Sequence, residues 1–181
     1  MKRALLLIGQ PGTGKTALIK EALARTRVKG GGCYTEEIRT GGIRRGFQIV
    51  TLGGQEAILA HANISSPCQV SKYQVDTDAL DRVGVAALRQ AFSESDLVVI
   101  DEIGKTGLLS PQFKEVVTQA INSGRRVLGT IMLNPHPFAN EIKRHPEIEV
   151  LLVTKDNRPQ VINQVLDWLA RGELSHQQSS P

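Results

Sequence analysis

Gly9-Gln10-Pro11-Gly12-Thr13-Gly14-Lys15-Thr16 lies between an apolar segment and an amphipathic one near the amino terminus of this chain. It fits the phosphate-binding loop pattern of glycine, any four residues, and Gly-Lys-Thr. Ala4–Ile8 before it is an apolar run of buried-strand length, and Ala17–Arg25 after it repeats apolar residues at helical spacing. A strand, this loop and a helix in that order predict a site for the phosphates of a nucleotide.

The residue types of this loop suit a triphosphate. Its glycines let the main chain approach closely enough for backbone N–H groups to surround the phosphates, and the following helix points its positive end at them. We expect Lys15 to reach the β- and γ-phosphates and the Thr16 hydroxyl to ligate Mg²⁺. The sequence therefore predicts a protein that binds nucleoside triphosphates such as ATP and GTP.

The composition is that of an ordinary globular chain with a mildly basic balance. Its 181 residues are 40% hydrophobic and 22% charged, with a net charge of +4. This length suits one domain with one core. The basic balance leaves nucleic acid open as a partner but does not favour it, because no dense basic run is present. We expect a monomer.

The cysteines and the amino terminus indicate a reducing compartment. Cys33 and Cys68 lie far apart and do not form a Cys-x-x-Cys pair, which favours free thiols. Met1-Lys2-Arg3 precedes an apolar run that is too short for a signal peptide, and no run approaches membrane-spanning length. We expect a cytoplasmic protein without membrane association, and an organelle interior is the alternative.

The remaining segments alternate between strand-like and helix-like patterns. Gly32–Arg39, Gly46–Leu52 and Glu56–Ala60 read as short strands joined by glycine turns, which predicts an antiparallel meander. Residues 61–75 lack periodicity and are expected to form a loop. Further along we predict helices at Asp78–Phe92, Ser110–Gly124, Pro137–Arg144 and Pro159–Gly172, and strands at Leu97–Asp101, Arg126–Ile131 and Glu149–Val153.

This alternation predicts an α/β fold in three layers. Buried strands between amphipathic helices indicate a mostly parallel central sheet with helices on both faces, extended on one side by the antiparallel meander. We expect a single domain over residues 1–172 and a disordered polar tail over residues 173–181. Ligands of such sheets bind at the carboxyl ends of the strands.

Two neighbouring acids stand at one such strand end. Asp101 follows the apolar run Leu97–Ile100, where a carboxylate can hold Mg²⁺ opposite Thr16. Glu102 comes next, and we assign it as the general base that polarises an attacking water. A turn or helix-capping role for Asp101 and a solvated position for Glu102 are the alternatives.

Several separated motifs together resemble one family. They are Gly9–Thr16, the hairpin Arg39–Phe47, the run Val99-Ile100-Asp101-Glu102-Ile103-Gly104-Lys105, Gly129-Thr130-Ile131, and Val153–Arg158. The chain resembles the THEP-type nucleoside-triphosphatases, also called cancer-related nucleoside-triphosphatases, up to about residue 170. The resemblance implies a RecA-like P-loop core, Mg²⁺ as cofactor, and slow hydrolysis of several nucleoside triphosphates to diphosphates.

The resemblance also extends the set of candidate site residues. It places Lys105 in the active-site signature, where a surface lysine is the alternative. It favours Arg39 and Arg45, among the hairpin arginines Arg39, Arg44 and Arg45, as the arginine finger, where a turn of solvated arginines is the alternative. It places Asn157 and Arg158 near the base, where helix capping is the alternative role. The strand residues Val98, Val99, Ile100, Ile103 and Gly104 complete the predicted nucleotide-binding set.

Three functions fit these residues. The first is Mg²⁺-dependent hydrolysis of nucleoside triphosphates with broad base tolerance, since a guanine-reading Asn-Lys-x-Asp motif is not formed where Thr154 and Asn157 stand. The second is a nucleotide or small-molecule kinase, in which the arginine hairpin would close as a lid. The third is a nucleotide-gated binding module whose hydrolysis is stimulated by a protein or RNA partner.

Overall fold

A nine-stranded sheet forms the centre of the computed structural model, which describes residues 2–177. The strands are β1 (Ala4–Ile8), β2 (Gly30–Thr40), β3 (Ile43–Thr51), β4 (Glu56–His61), β5 (Gln69–Val70), β6 (Tyr73–Val75), β7 (Leu97–Ile103), β8 (Arg126–Ile131) and β9 (Ile148–Leu152). Their order across the sheet is β5-β6-β4-β3-β2-β7-β8-β1-β9. The predicted α/β class is confirmed.

The central parallel strands β1, β7 and β8 are buried on both faces. β1 lies between β8 and β9, with Leu6 opposite Gly129 on one side and Val150 on the other. Successive β1 side chains alternate between two core clusters, so Leu6 belongs to one and Leu5 and Leu7 to the other. Strands of this kind are apolar throughout, which is why the sequence pattern located them well.

Helices cover both faces, as predicted. They are α1 (Lys15–Ala24), α2 (Thr77–Ala79), α3 (Ala86–Glu94), α4 (Pro111–Asn122), α5 (Pro137–Arg144) and α6 (Arg158–Gln177). The cluster with Leu5 and Leu7 takes buried side chains from α1 and α6, whereas the opposite cluster takes them from α3, α4 and α5. No helix among residues 2–177 is both long and apolar enough to cross a membrane.

β2 joins the two halves of the sheet. Its first part, Gly30–Cys33, pairs parallel with β7. The part from Cys33 to Thr40 pairs antiparallel with β3. β4 pairs with β3 only from Gly46 onward, so the tip of the β2–β3 hairpin projects beyond its neighbours as a two-stranded ribbon. The predicted antiparallel meander is therefore present, and its first strand is part of the central sheet.

The segment 61–75 differs from the predicted loop. It contains the two short strands β5 and β6, which pair antiparallel with Val70 opposite Tyr73, and β6 also pairs with β4. Ser71 takes a positive φ of 56° in the two-residue turn between them. Strands of two and three residues are too short to show a period of two, so the pattern alone did not reveal them.

The helix predicted at Asp78–Phe92 contains a change of winding. α2 and α3 are joined by a π-helical segment over Leu80–Val85. A Cβ on Gly84 in this segment would lie 2.4 Å from Ile49 Cδ1, so glycine permits the close approach of helix and sheet. Hydrophobic spacing does not distinguish a single π-helical turn from α-helix over so few residues.

The last helix continues past the predicted end at Gly172 and reaches Gln177. Gly172 packs against Arg126, because a Cβ there would lie 2.0 Å from the guanidinium carbon. Arg126 in turn lies over the ring of Trp168, which is buried as the sequence predicted. The glycine therefore serves close packing and not helix termination. Residues 178–181 of the predicted tail lie outside the described residues.

Gly129 provides a test of the packing between the two central strands. A Cβ at this position would lie 2.2 Å from the backbone oxygen of Ile100, which cannot move without displacing β7. We expect Gly129→Ala to lower the free energy of unfolding by about 1–3 kcal/mol. Gly53→Ala is the matched control, because its nearest neighbour would be 3.7 Å away. Equal urea midpoints for the two variants would contradict this account.

Candidate active site

The loop Gly9–Thr16 connects the carboxyl end of β1 to α1. Gly12 and Gly14 have φ angles of 81° and 85°, in the left-handed region that glycine adopts without strain. A Cβ on Gly9 would lie 2.3 Å from the backbone oxygen of Val153, so this position also requires glycine. The helix begins at once, with Leu18 N donating to Gly14 O at 2.9 Å. The loop has the backbone form that the pattern predicted.

Lys15 folds back over its own loop. Its Nζ donates to the backbone oxygens of Gly9 at 2.9 Å and Gln10 at 3.1 Å. Thr13 Oγ1 donates to the same Gln10 oxygen at 2.9 Å. These bonds hold the ammonium group beside the main chain of the loop, which is where the β- and γ-phosphates of a nucleotide are expected.

Asp101 is the buried acid of the site. It is 3% exposed, and its Oδ1 accepts a hydrogen bond from the Thr130 hydroxyl. Its Oδ2 is buried without a hydrogen-bond partner among the described residues. Burial raises the pKa of this carboxyl, and the Thr130 and Thr16 hydroxyls only partly oppose that effect. A buried carboxylate oxygen without a partner calls for a cation.

The residues around Asp101 fit Mg²⁺. A carboxylate and the Thr16 hydroxyl are hard oxygen ligands of the kind this ion prefers, and it commonly takes only one or two protein ligands beside the phosphates of the substrate. Residues 2–177 contain no group of three or more His, Cys, Asp or Glu that could hold a metal ion.

Glu102 follows Asp101 at an irregular point of the sheet. The register between β7 and β8 shifts between Ile100 and Ile103, so the two acids occupy the interruption. Glu102 is exposed at the surface of the cleft. Partial desolvation there raises its pKa, the charge of Asp101 raises the pKa further, and Lys15 opposes the change. A Cβ on Gly104 would lie 2.9 Å from Glu102 Cδ, so this glycine makes room for the carboxylate. A carboxylate with a raised pKa is suited to accept a proton.

A cleft of about 890 Å³ connects these groups. One wall is the phosphate loop with Lys20 of α1, and the floor carries Asp101, Glu102 and Thr130. The opposite wall comes from the antiparallel half of the sheet and from the segment after β7. Its lining residues include Glu37, Arg44, Phe47, Tyr73, Lys105 and Thr106. The structure therefore brings Lys105 to the cleft together with the loop and both acids.

Four of the predicted nucleotide-binding residues lie in the core. The side chains of Val98, Val99, Ile100 and Ile103 are 0% exposed and pack in the two core clusters. They are not among the residues that line the cleft, and they support Asp101 and Glu102 as neighbours in β7. Their predicted contact with the nucleotide stays a prediction. An apolar strand next to a polar motif does not by itself distinguish support from contact.

Asn157 and Arg158 lie on the other side of the phosphate loop. Asn157 Oδ1 accepts from Thr154 N at 2.8 Å and its Nδ2 donates to Leu152 O at 2.8 Å, which stabilises the loop before α6. Arg158 Nη2 donates to Glu21 Oε2 at 2.8 Å, and its Nε lies 3.4 Å from the Cβ position of Gly14. Arg158 therefore borders the phosphate loop, and its predicted contact with the base stays a prediction.

The hairpin arginines differ in position. Arg44 lines the cleft, whereas Arg39 and Arg45 are not among its lining residues in the described part of the chain. Sequence reasoning also gave no role to Thr130, which donates to Asp101. The available signal was the presence of this polar residue near the end of the buried strand β8.

A glycine-rich loop, a buried acid beside its threonine and a second acid at the next residue define a P-loop nucleoside-triphosphatase with Walker A and Walker B elements. The chain belongs to the family described as NTPase, whose model matches residues 4–166.

Individual relatives agree with this assignment. Nucleoside-triphosphatase THEP1 of Thermotoga sp. (strain RQ2) is 44% identical over 171 residues, which cover 93% of this chain and 98% of that protein. The crystal structure of THEP1 from Aquifex aeolicus matches 92% of this chain and 98% of its own with a TM-score of 0.85 and 31% identity. The solution structure of a human cancer-related nucleoside triphosphatase matches 99% and 100% with a TM-score of 0.78 and 34% identity. The predicted family resemblance is confirmed, and the chain is a nucleoside-triphosphatase.

Asp101 provides a test of the buried acid. An acid whose pKa is raised on folding binds its proton more tightly in the folded state, so stability is lost as the pH rises from the unfolded to the folded pKa. The parent therefore carries this loss of stability at neutral pH. Asp101→Asn removes the buried charge and with it the loss. We expect the variant without nucleotide to melt higher by about 2–4 °C for each kcal/mol gained.

The matched control is Asp156→Asn, since Asp156 is exposed in the loop before α6. We expect its melting temperature to equal that of the parent. A lower melting temperature for Asp101→Asn in nucleotide-free buffer at pH 7 would contradict the assignment of an unfavourable buried carboxylate.

Proposed function

We propose that this chain hydrolyses nucleoside 5′-triphosphates to nucleoside diphosphate and phosphate, with Mg²⁺ as cofactor and with little discrimination between bases. The observation that carries the proposal is the pair of adjacent acids, one buried with an unpartnered oxygen and one facing the cleft with a raised pKa. Their different environments suit them to different tasks, holding a cation and accepting a proton.

Each residue of the site has a defined part in this proposal. The loop amides and Lys15 bind the phosphates, and Thr16 and Asp101 hold Mg²⁺, which neutralises charge on the β- and γ-phosphate oxygens when bound. Glu102 accepts the proton of the water that attacks the γ-phosphorus. Lys105 lies on the same cleft and adds positive charge beside the transferring group.

Broad base tolerance follows from the surroundings of the phosphate loop. Asn157 uses its side-chain amide within its own loop, and Arg158 pairs with Glu21. A guanidinium plane can stack on any base without reading its edge. Thr154 and Asn157 do not form the guanine-reading motif. We therefore expect ATP and GTP to be used at similar rates.

Glu102→Gln tests the general base. Glutamine keeps the size of the side chain but cannot take up a proton, so we expect turnover to fall by about 100-fold or more. Binding of Mg-ATP, measured by calorimetry, should stay within about threefold, since the phosphate contacts are retained. In the parent, activity should be lost as the pH falls through a pKa above the usual value for glutamate of about 4.3.

The matched control for this variant is Glu56→Gln, because Glu56 is exposed on β4 away from the cleft. We expect parental turnover and an unchanged pH profile. If Glu102→Gln hydrolyses Mg-ATP at the parental rate, water is activated by another group.

A kinase is the second candidate, and one feature favours it. A pocket of about 90 Å³ opens beside Glu102, and its walls are largely apolar, with Phe47, Ile49 and Leu59 among them. Burial raises the pKa of the Cys33 thiol in this pocket to about 12, so the thiol is unsuited to act as a nucleophile. An acceptor hydroxyl placed here would meet the same carboxylate that activates water.

An assay of phosphate release decides between the two. We expect Mg-ATP, Mg-GTP, Mg-CTP and Mg-UTP to be hydrolysed within about tenfold of one another, a difference of no more than about 1.4 kcal/mol between transition states. Activity should disappear with EDTA. Addition of nucleoside mono- and diphosphates should leave the release of phosphate unchanged. Phosphoryl transfer that is faster than phosphate release would instead favour the kinase.

A further inference from the structure

The β2–β3 hairpin carries three arginines toward the side of the cleft opposite the phosphate loop. Arg39 belongs to β2, and Arg44 and Arg45 belong to β3. Beyond Gly46 the hairpin has no further strand beside it, so its tip is free of the constraints of the sheet. The three side chains have the same chemistry, and their positions decide which of them can meet a phosphate.

Arg45 is the extra residue at an irregularity of the hairpin, because Arg39 is opposite Arg44 whereas the adjacent Ile38 is already opposite Gly46. Arg44 faces the cleft and lines it together with Lys15 and Glu102. Arg45 is exposed and is not among the residues that line the cleft within the described part of the chain. Of these two neighbouring arginines, the structure therefore brings only Arg44 into the wall of the cleft.

Arg39 lies on the same face of the hairpin as Arg44, but its guanidinium group binds partners nearer the tip of the hairpin. The two residues are opposite each other in the register of the hairpin. Arg39 Nη1 donates to the backbone oxygen of Gly42 in the turn at 2.8 Å, and its Nε donates to Glu37 Oε2 at 2.8 Å. These bonds direct Arg39 along the hairpin and not into the cleft.

Arg44 is held in the cleft wall by contacts of a different kind. Its Nε donates to Tyr73 Oη at 3.3 Å and its Nη1 donates to Glu37 Oε1 at 3.0 Å. The guanidinium carbon lies 5.2 Å from the ring centre of Phe47 and 5.9 Å from that of Tyr73. Within the described residues, these contacts leave both N–H groups of Nη2 and one of Nη1 for phosphate oxygens.

The charges around Arg44 favour an anion. Glu37 is shared by Arg39 and Arg44, so the three side chains together keep one net positive charge. The base of the hairpin is tied to the phosphate loop's own helix, because Lys20 of α1 pairs with Glu36 of β2. Lys20 also lies 3.9 Å above the ring of Tyr34. Arg44 therefore belongs to a hairpin whose base is held next to the phosphate loop by this ion pair.

We propose that Arg44, and neither Arg39 nor Arg45, is the arginine that this chain supplies to its own γ-phosphate. The inference rests on the proposed function, since it concerns the same hydrolysis. As the bond between the γ-phosphorus and its bridging oxygen breaks, negative charge grows on the leaving oxygen and on the equatorial oxygens. A fork of N–H donors that always stays charged stabilises that charge. Supply from the same chain makes turnover independent of an activating partner.

Alanine variants of the three arginines test this assignment against matched controls. We expect Arg44→Ala to lower kcat for Mg-ATP by about 100- to 1000-fold, the effect of losing one strong donor to the transition state. The KM should change by no more than about threefold. Arg45→Ala should retain parental kcat, and Arg39→Ala should lose less than about fivefold, because Glu37 and Tyr73 still hold Arg44.

A binding measurement separates stabilisation of the transition state from a structural role. Mg-ADP with aluminium fluoride imitates the transferring phosphoryl group, so we expect the parent to bind it far more tightly than Mg-ADP alone. Arg44→Ala and Arg44→Gln should bind Mg-ADP like the parent and lose most of this extra affinity. Arg44→Lys should recover part of it, because the charge returns without the fork.

Some results would overturn the assignment while leaving the hydrolase intact. They are an Arg44→Ala variant within threefold of the parental kcat, equal losses for Arg44→Ala and Arg45→Ala, or undiminished binding of the aluminium fluoride complex by Arg44→Gln. If the parent itself releases no phosphate from Mg-ATP, or if Glu102→Gln is as active as the parent, the proposed function fails and the inference fails with it.

Discussion

The desolvated carboxylate of Asp101 is the constraint to which the rest of the site is adjusted. One of its oxygens is bound by Thr130 from the neighbouring strand, and the other is buried without a partner among the described residues. A charge in that position is unfavourable unless a cation joins it, which couples the stability of this part of the sheet to occupation of the site. Gly129 lets β8 approach the backbone of Ile100, the residue before Asp101.

The second wall of the cleft depends on the change of strand direction at β2. On one side β2 continues the parallel sheet beside β7, and on the other it begins the antiparallel meander. The parallel half presents the phosphate loop and the two acids at its carboxyl edge, as open α/β sheets do. The antiparallel half adds a wall with Arg44, Phe47 and Tyr73, so a cleft forms between two parts of a single sheet.

The agreement between sequence and structure follows the strength of the local patterns. Buried parallel strands and long amphipathic helices have periods that extend over many residues, and the predicted α/β class and family are confirmed. β5 and β6 are too short to show a period, and the π-helical segment differs from α-helix by less than the pattern resolves. Gly172 was misread as a helix end because the partner that requires a glycine there, Arg126, is distant in sequence.

Local chemistry in the chain was enough to specify the phosphate loop, the strand that ends in Asp101 and Glu102, and the alternation that leads to a layered α/β fold. These features depend on short-range order, because a glycine turn or a buried strand is determined by consecutive residues of the sequence. The raised pKa values of the acids, the Thr130 contact and the choice among Arg39, Arg44 and Arg45 arose only when distant segments were packed together. Burial and contact are properties of neighbours in space, and the residues concerned come from segments that are distant in the sequence.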